Sequence, residues 1–419
     1  MHNDSIRQNV LVINCGSSSV KFSLINPTSG KTMINAIAER LNSSQAILKI
    51  KLFSNYSVEK MSITEQPIKS PYTHKMAINL LVDFLNQQQL ISHIQAIGHR
   101  VVHGGEIYCD PTLITNNVVN NIDKLSQLAP LHNPANIIGI KAAQLAFSSL
   151  PQFAVFDTAF HQSMPDKAYL YGIPHRLYQE NGIRRYGFHG TSHYYVSSTT
   201  AKLINKPLNK CNFISAHLGN GCSVTAIKNG KSVDTSLGFT PLEGVMMGTR
   251  SGDIDPGIIF YLVEQLNYTM EQVNNLLNKE SGLLGVSGIS NDCRTLECAM
   301  LEKGDKQAEL ALNIFCYRIA KAIASFSASL ESLDGLIFTG GIGENSSYVR
   351  SNILSHLTLL NFTIDQEKNL LIKGGKSGSI SKSESRSCWV IPTNEEWVIA
   401  KQSHQLLVEQ NIKLNNKIQ

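Results

Sequence analysis

Residues 11–25 read LVINCGSSSVKFSLI, and this stretch decides the fold because it has the pattern of a β-hairpin with a polar turn. An apolar run ends at Asn14, passes through Gly16 and three serines, and resumes as a strand that contains Lys21. Apolar and polar residues alternate strictly in that second strand, which is typical of a half-buried β-strand. The pattern predicts a hairpin that gathers an asparagine, serines and a lysine at one end.

A second stretch repeats this order of elements. Residues 213–227, FISAHLGNGCSVTAI, again give an apolar strand, a turn of glycine and polar residues, and an alternating strand. When Ser19-Val20 is aligned with Ser223-Val224, the two copies lie about half a chain apart. Because recurrence of a pattern indicates a repeated unit, this spacing predicts duplicated halves that each begin with a hairpin.

Residues 333–350, LDGLIFTGGIGENSSYVR, form a third characteristic stretch. They predict an apolar strand, a double-glycine turn and a helix that begins near Glu344 or Asn345. A helix N-terminus after such a turn presents free N–H groups and the positive end of the helix dipole to an anion. The stretch therefore favours a nucleotide site, although a turn that only needs a positive φ would have the same pattern.

Helical and strand patterns alternate along the rest of the chain, which predicts an α/β protein with mixed or parallel sheets. Asn133 as N-cap and Pro134 at the first helical position mark one helix start. The predicted elements are a helix at 74–89, a strand at 94–102, a helix at 133–147 and a buried strand within 153–160 that ends in the carboxylate of Asp157.

Composition and charge describe an ordinary globular chain of two or three domains. With 419 residues and 42% hydrophobic content, the chain is long enough to bury sizeable cores. The net charge of +5 comes from 37 basic and 32 acidic residues without long blocks, which argues against nucleic acid or a membrane surface as a partner. The eight cysteines lie far apart without a C-x-x-C pair, so reduced thiols are expected rather than zinc or redox chemistry.

Neither a signal peptide nor a membrane span is expected. The polar N-terminus runs into an apolar strand of only five residues, and Arg318 and Lys321 interrupt the longest apolar candidate. A cytoplasmic location is therefore predicted.

Two arginines and several histidines occupy glycine-rich segments. Arg100 follows a strand in IGHRVVHGGE, and Arg250 lies between glycines in PLEGVMMGTRSGDIDPG. A single loop arginine is usually solvated and a single histidine is usually structural. Because glycines let the backbone approach a ligand, the repeated arrangement nevertheless suggests an anion site. The histidines concerned are His103, His132, His189, His193 and His217.

Ten motifs follow one another along the chain, from about residue 10 to about residue 401: NCGSSSVKF, GHRVVHGGE, APLHNPAN, VFDTAFH, RYGFHGTSH, HLGNG, PLEGVMMGTRSGDIDP, KESGLLG, FTGGIGEN and IPTNEE. In identity and order they resemble the acetate and propionate kinase family. The resemblance implies a duplicated actin-like ATPase (ribonuclease H-like) fold, in which two domains with mixed β-sheets flanked by helices close over ATP in a cleft. It also implies a homodimer. The N-terminal, acetate-side domain would comprise 1–158 and 396–419, and the nucleotide-binding domain 159–395.

The resemblance further implies which residues bind the nucleotide and its metal. Asn14 and Glu395 would help to hold Mg²⁺, for which Mn²⁺ could substitute, and Lys21 with the serine turn would face the phosphates. Cys293 stands at a position that varies in the family. The implied ATP-binding residues are Lys21, His217, Leu218, Gly219, Asn220, Gly221, Asp292, Cys293, Arg294, Gly341, Ile342, Gly343, Glu344 and Asn345.

The same resemblance assigns the substrate-binding and catalytic residues. Arg100 is similar to the carboxylate-binding arginine, and Asp157 matches the residue usually called catalytic. His189 and Arg250 are similar to the residues that stabilise the transferring phosphoryl group. The implied substrate-binding residues are Arg100, Val102, Leu131, His132, Phe188 and Pro241.

The implied reaction is the reversible, direct in-line transfer of the γ-phosphoryl group of ATP to acetate, giving acetyl phosphate and ADP. Phosphoryl transfer requires alignment and neutralisation of charge on the transferred group, which cationic side chains and Mg²⁺ supply best when a closed cleft excludes water. A carboxylic acid with a pKa of roughly 4 to 5 is already ionised at pH 7, so acetate needs no general base. We therefore hypothesise that Asp157 chiefly orients Arg100 or metal-bound water.

The acyl pocket follows from the same resemblance. Val102, Leu131, Phe188 and Pro241 would surround the methyl group, although such residues more often belong to a core. Propionate-preferring relatives tend to have a smaller residue at the position of Val102, so valine favours acetate. A hydrophobic pocket discriminates between two substrates that differ by one methylene group by only about 10- to 200-fold. Propionate is therefore expected to remain a slow substrate.

Two alternatives remain open. One is a propionate or butyrate kinase of the same family, and the other is an ATPase switch module of the chaperone or actin type. Switch modules and sugar kinases typically have an aspartate in the first phosphate loop, where this chain has Asn14, and they lack the pair of Arg100 and Arg250. These differences favour the acid kinase.

Overall fold

The computed structural model describes residues 8–54, 61–130 and 132–415. The chain forms two compact units. Unit 1 contains the described residues up to Ala159 and those from Asn394 onward, and unit 2 contains Phe160–Thr393. Each unit has its own β-sheet with helices packed against it.

Unit 1 is built on an eight-stranded mixed sheet with the strand order β5-β4-β3-β2-β1-β6-β8-β7. Strands β1 to β5 are antiparallel neighbours, whereas β6 and β8 continue the sheet parallel to β1. Its elements in chain order are β1 (Asn9–Cys15), β2 (Val20–Ile25), β3 (Thr32–Glu39), β4 (Ile47–Phe53), β5 (Met61–Pro67), α1 (His74–Gln87), β6 (Ile94–Val101), β7 (Thr112–Leu113), α2 (Asn116–Lys124), α3 (Asn133–Ala146) and β8 (Gln152–Phe156).

Unit 2 is built on a six-stranded mixed sheet with the order β11-β10-β9-β12-β14-β13. Its elements are α4 (Asp166–Tyr169), α5 (Arg176–Asn181), α6 (Gly190–Leu203), β9 (Phe213–Leu218), β10 (Cys222–Lys228), β11 (Lys231–Thr235), α7 (Gly257–Glu264), α8 (Met270–Lys279), α9 (Gly282–Ser287), α10 (Cys293–Lys303), α11 (Lys306–Phe326), β12 (Gly335–Thr339), α12 (Gly340–Asn345), α13 (Ser347–Ser355), α14 (Gln366–Leu371), β13 (Gly378–Ser379) and β14 (Cys388–Val390). The chain then returns to unit 1 as α15 (Glu395–Asn415).

The two sheets share one topology. In unit 1 the five strands β3-β2-β1-β6-β8 run antiparallel, antiparallel, parallel and parallel to their neighbours. In unit 2 the strands β11-β10-β9-β12-β14 have the same order and directions. Both predicted hairpins, β1-β2 and β9-β10, therefore open equivalent halves, and the predicted duplicated actin-like fold is confirmed.

The first strand of the chain is buried on both faces because helices cover the sheet on both sides. Leu11 and Ile13 belong to a core cluster with residues of α1 and α3, while Val10 and Val12 pack with residues of α15 on the other face. Near-continuous apolar sequence is expected in a strand of this kind. The polar turn after β1 therefore follows a strand that is packed on both faces.

Two helix starts differ from the sequence-based prediction. The N-cap of α3 is His132, and Asn133 is the first helical residue. The side chain of Asn133 cannot cap the helix because it accepts a hydrogen bond from the backbone N–H of His103 and donates to the carbonyl oxygens of His103 and Ile122. Helix α12 begins at Gly340 rather than near Glu344 or Asn345, so the glycines form its first turn.

Within the described residues, one helix has the length and mean hydropathy of a membrane span, namely α11 with the short turn that follows it. Its residues Ala311, Leu312, Phe315 and Ile319 are buried, and it packs against α9, α10 and α13. Arg318 and Lys321 lie exposed on another face. This division into a buried apolar face and an exposed charged face is that of an amphipathic helix packed against the rest of its unit.

Candidate functional site

A partly buried arginine and a buried aspartate form an ion pair at the ends of two neighbouring strands in unit 1. Arg100 lies inside β6, one residue before its end, so the prediction that it follows the strand is wrong, because the pairing of β6 with β8 extends to Val101. Asp157 directly follows β8. The Nη2 of Arg100 donates to Oδ2 of Asp157 at 2.7 Å, and its Nε lies 3.0 Å from both carboxylate oxygens. Asp157 is only 1% exposed. Burial lowers the pKa of Arg100, but the charges of Asp157 and Glu395 outweigh burial and raise the pKa above its usual range. Arg100 is therefore a fixed, permanently charged group.

A second carboxylate lies close to this pair. Glu395 is the first residue of α15, and its Oε1 is buried without a hydrogen-bond partner in the described part of the chain. Burial raises its pKa to about 7, with a further contribution from Asp157, although Arg100 and Lys21 oppose the shift. A buried oxygen without a partner is costly unless a ligand satisfies it.

The unpartnered carboxylate oxygen of Glu395 is a ligand of the kind that a magnesium ion takes. Asn14 is partly exposed in β1 and pairs across the hairpin with Lys21 in β2, and Lys21 itself is exposed. The described residues contain no group of three or more histidine, cysteine, aspartate or glutamate side chains that could hold a metal. Mg²⁺ needs no such cage, since it typically keeps several waters and uses one or two carboxylates with substrate phosphates. Asn14 and Glu395 suit that mode of binding.

The polar turn after β1 is fixed by residues that the sequence did not single out. The Nδ2 of Asn136 in α3 donates to the carbonyl oxygen of Cys15 at 2.8 Å, and its Oδ1 accepts from the backbone N–H of Val102 at 3.0 Å. A ring nitrogen of His74 lies 2.6 Å from the carbonyl oxygen of Gly16. Asn136 thus ties the turn to the loop beyond Arg100. The motif APLHNPAN contains this residue, but only the fold reveals its partners.

In unit 2, one histidine and one arginine flank a glycine of the second hairpin. A Cβ atom added to Gly221 would lie 3.4 Å from Nε2 of His189 and 3.6 Å from Nη1 of Arg250. Arg250 donates from Nη1 to the carbonyl oxygen of Pro241 at 3.0 Å, and it has no carboxylate within salt-bridge distance among the described residues. Burial lowers the pKa of Arg250. A partly buried guanidinium without an anion favours an anionic ligand.

A cavity of about 480 Å³ opens next to this loop in unit 2. Eight of the predicted nucleotide-binding residues line it: Gly219, Asn220, Asp292, Cys293, Arg294, Gly341, Ile342 and Asn345. Three further lining residues, Asn291, Glu297 and Ser346, were not predicted. Glu297 follows Cys293 by four residues in α10, so helical periodicity could have placed it on the same face. Arg294 forms a salt bridge with Asp292 at 2.8 Å.

Other predicted nucleotide-binding residues do not line the cavity. Leu218 is fully buried, and its backbone lies within 3 Å of the position that a Cβ atom on Gly340 would occupy. The carboxylate of Glu344 accepts hydrogen bonds from the backbone N–H groups of Gly340 and Thr393. Glu344 is therefore used to fix the start of α12. The remaining residues outside the lining are His217, Gly221 and Gly343 in unit 2, and Lys21 in unit 1.

The predicted acyl-pocket residues fall in both units. Val102 lies in unit 1 beyond β6, whereas Phe188 and Pro241 lie in unit 2. Phe188 is buried, and its carbonyl oxygen lies 2.9 Å from a ring nitrogen of His161. His132 of unit 1 is the N-cap of α3. Leu131 lies outside the described residues.

Known proteins are similar to this chain over nearly its whole length. The model of the Acetokinase family matches residues 9–401. An acetate kinase from Shewanella sp. (strain W3-18-1) is 53% identical over 400 residues, which cover 95% of this chain and 98% of that protein. A crystal structure of a propionate kinase from Francisella tularensis subsp. tularensis SCHU S4 has a TM-score of 0.88 at 44% identity and covers 95% of this chain and 99% of its own. That of Porphyromonas gingivalis acetate kinase has a TM-score of 0.88 at 39% identity and covers 96% and 100%.

Proposed function

The chain belongs to the acetokinase family and is an acetate kinase, a phosphotransferase with a carboxyl group as acceptor, and we propose roles in this reaction for residues of each unit. The γ-phosphoryl group of ATP passes to acetate and gives acetyl phosphate and ADP. We assign acetate binding to Arg100, and stabilisation of the transferring group to His189 and Arg250. The observation that carries the assignment is the partly buried guanidinium of Arg250, which lies beside a glycine loop and has no carboxylate partner in the part of the chain that the structure describes.

The charges explain why two different arginines are used. Acetate and ATP are both anions, so their approach requires positive charge on each side of the reacting atoms. Arg100 is already neutralised in part by Asp157, which leaves it suited to orient a carboxylate without binding it too strongly. Arg250 has no such partner within residues 8–54, 61–130 and 132–415, and its charge is available to the equatorial oxygens of the phosphoryl group.

We further propose that Mg²⁺ accompanies the nucleotide, held by Asn14 and Glu395. The orphaned oxygen of Glu395 supports this choice. When bound, Mg²⁺ supplies positive charge to the phosphate oxygens. Mn²⁺ prefers similar oxygen ligands and is expected to substitute. Because α11 packs its apolar face against other helices of unit 2 and the substrates are small anions, we propose a cytoplasmic location without a membrane or nucleic-acid partner.

Trapping of the acyl phosphate with hydroxylamine tests the function. We expect rapid hydroxamate formation with acetate and ATP, and a rate at least about tenfold lower with propionate. The variant Val102→Ala should lower the ratio of the rate with acetate to the rate with propionate, because it enlarges the proposed pocket by about two methyl groups. An exposed valine of α15, Val408, provides the control Val408→Ala, which should leave the ratio unchanged.

Three outcomes separate the alternatives. Faster reaction with propionate than with acetate would assign the chain to the propionate kinases of the family. Absence of hydroxamate from every short acid, with ATP hydrolysis retained, would favour a nucleotide-dependent switch module. An unchanged ratio in the Val102→Ala variant would remove Val102 from the acyl pocket without affecting the reaction assignment.

We propose that the enzyme is a homodimer and that α7 contributes to the interface. Every side chain of this helix is partly or fully exposed, although its sequence is GIIFYLVE. Phe260 is 63% exposed and Tyr261 is 58% exposed, and Met270 at the start of α8 is 65% exposed. Contiguous exposed apolar surface usually marks an interaction site, and a second copy of the same patch can cover it around a twofold axis.

The variant Phe260→Asp is expected to shift the enzyme from dimer to monomer at micromolar concentration, because it introduces a charge that the interface would desolvate. Sedimentation velocity measures this shift. Leu145→Asp is a matched control, since Leu145 is 72% exposed on α3 of unit 1. A dimer that withstands Phe260→Asp, or dissociates equally with Leu145→Asp, would contradict the placement of the interface on α7.

A further inference from the structure

Arg350 is a buried arginine of unit 2 that has no direct role in the proposed reaction. It lies in α13 and is 0% exposed. No salt bridge joins it to a carboxylate in the part of the chain that the structure describes. Burial lowers the pKa of Arg350 to about 10, so the guanidinium remains charged at neutral pH. A buried charge without a counterion is costly unless hydrogen bonds compensate it.

Neutral oxygen atoms provide this compensation. The Nη1 of Arg350 donates to the carbonyl oxygens of Gly343 and Glu344, both at 2.9 Å. Its Nη2 donates to the carbonyl oxygens of Asn369 at 2.7 Å and Ile372 at 3.0 Å, and its Nε donates to Oδ1 of Asn369 at 2.7 Å. A guanidinium has five N–H donors in a rigid fork, so these five contacts hold the side chain in one orientation.

The backbone acceptors belong to the ends of two helices. Gly343 and Glu344 lie in the last turn of α12, whereas Asn369 lies in the last turn of α14 and Ile372 is the C-cap of that helix. Carbonyl oxygens at a helix C-terminus lack partners within the helix and carry partial negative charge. Arg350 therefore reaches from α13 to join the C-terminal ends of α12 and α14 and supplies positive charge to both.

An asparagine of α12 strengthens the same connection. The Oδ1 of Asn345 accepts from the backbone N–H of Gly374 at 2.9 Å, beyond the end of α14. Its Nδ2 donates to the carbonyl oxygen of Gly341 at 2.9 Å, in the first turn of α12. The Nδ2 of Asn369 donates to the carbonyl oxygen of Ser347 at 2.9 Å, at the start of α13. These contacts tie the three helices to the segment that follows α14.

One wall of the nucleotide cavity in unit 2 belongs to α12. Gly341, Ile342 and Asn345 line the cavity, whereas none of the described residues 366–374 does. We propose that Arg350 is a positioning residue for the nucleotide, because it joins the ends of α12 and α14 and thereby fixes the three wall residues. The proposal rests on the proposed function, because that function supplies the nucleotide.

The chemistry of arginine suits this task better than that of other residues. An apolar side chain would leave the carbonyl oxygens of Gly343 and Glu344 without their donors, and buried acceptors without partners are costly. Lysine keeps the charge, but its donors lie on one atom and cannot reach two helix ends as a planar fork does. A carboxylate counterion would add negative charge close to an anionic ligand, whereas carbonyl dipoles balance the guanidinium without adding net charge.

Calorimetric titration with ADP in the presence of Mg²⁺ tests the positioning role. Arg350→Lys is expected to raise Kd for ADP about tenfold, because the wall loses its fixed orientation although no contact with the ligand is removed. KM for ATP should rise in parallel, and KM for acetate should change less than about threefold. This split between the two substrates would not follow from a general loss of stability.

Arg386→Lys is the matched control. Arg386 is partly buried in unit 2, and its Nε and Nη1 donate to the carbonyl oxygens of Leu360 and Leu333 at 3.0 and 3.1 Å. None of these three residues lines the cavity. The control should lower Tm without changing Kd for ADP. A lowered Tm with unchanged Kd in Arg350→Lys itself would reduce Arg350 to a structural role and overturn the proposal, even if hydroxamate formation by the wild-type enzyme confirmed the kinase.

Hydrogen–deuterium exchange of the wild-type enzyme gives a second test, which does not require any variant to fold. ADP should slow amide exchange by about threefold or more in residues 340–345 and also in residues 366–374, although only the first segment lines the cavity. Residues 358–363, which include a carbonyl partner of Arg386, should exchange equally with and without ADP. Protection confined to residues 340–345 would contradict the connection through Arg350.

Discussion

Replacement of Arg250 by alanine is expected to lower kcat by about a thousandfold while KM for acetate changes by no more than a few-fold. An arginine that stabilises a transferring phosphoryl group typically contributes a factor of this size or more, and it acts mainly in the transition state. Arg250 has the required properties, because it is partly buried, lacks a carboxylate partner among the described residues and lies beside Gly221. Steady-state kinetics in both directions measure the effect.

Two further variants make the test of Arg250 specific. Arg250→Lys keeps the charge but loses the planar fork, so it should recover only part of the lost rate. Arg318→Ala removes an exposed arginine from α11 and should have wild-type kinetics. If Arg250→Ala raised KM for acetate strongly and left kcat unchanged, Arg250 would bind substrate in the ground state rather than stabilise the transferring group. Calorimetric titration with ADP would show whether the nucleotide site remains intact.

The elements that sequence could predict are those fixed by local pattern. The hairpins β1-β2 and β9-β10 follow from strict alternation next to polar turns, and their recurrence led to the duplicated fold. The start of α3 could not be predicted in this way, because Asn133 is a good N-cap residue that the fold recruits for His103 and Ile122 instead. A side chain that is satisfied elsewhere is not available to cap its helix.

The same distinction applies to the candidate site. Motifs identified the residues that belong to the loops, such as Asn220 and Gly341, but not how the fold uses each one. Glu344 belongs to the motif FTGGIGEN, yet its carboxylate binds Gly340 and Thr393 and does not line the cavity. Asn136 fixes the polar turn through partners that are distant in sequence, and no local pattern indicates such contacts. Its role depends on which atoms the fold brings within hydrogen-bond distance.

Asp157 is the most informative of the remaining residues. The variant Asp157→Asn is expected to lower kcat by about a hundredfold, although acetate needs no general base. Three contacts of 2.7 to 3.0 Å join its carboxylate to Arg100, and it is almost completely buried. Asparagine has one acceptor oxygen and no charge, so Arg100 would lose its orientation and turn toward Glu395. If Asp157 acted as a base, Asp157→Asn would lower kcat by the same factor whether or not Arg100 was present.

A double-mutant cycle separates these two roles of Asp157. If it acts through Arg100, the variant Arg100→Gln/Asp157→Asn should be no slower than Arg100→Gln alone, because the second change removes the orientation of a group that is already absent. If Asp157 instead acted as a base, the losses of kcat in the two single variants would multiply in the double variant. The enzyme would also show a solvent deuterium isotope effect on kcat. The magnesium dependence of Asp157→Asn completes the test. A raised requirement for Mg²⁺ in this variant, with Arg100→Gln unaffected, would mean that Asp157 orients metal-bound water rather than the guanidinium.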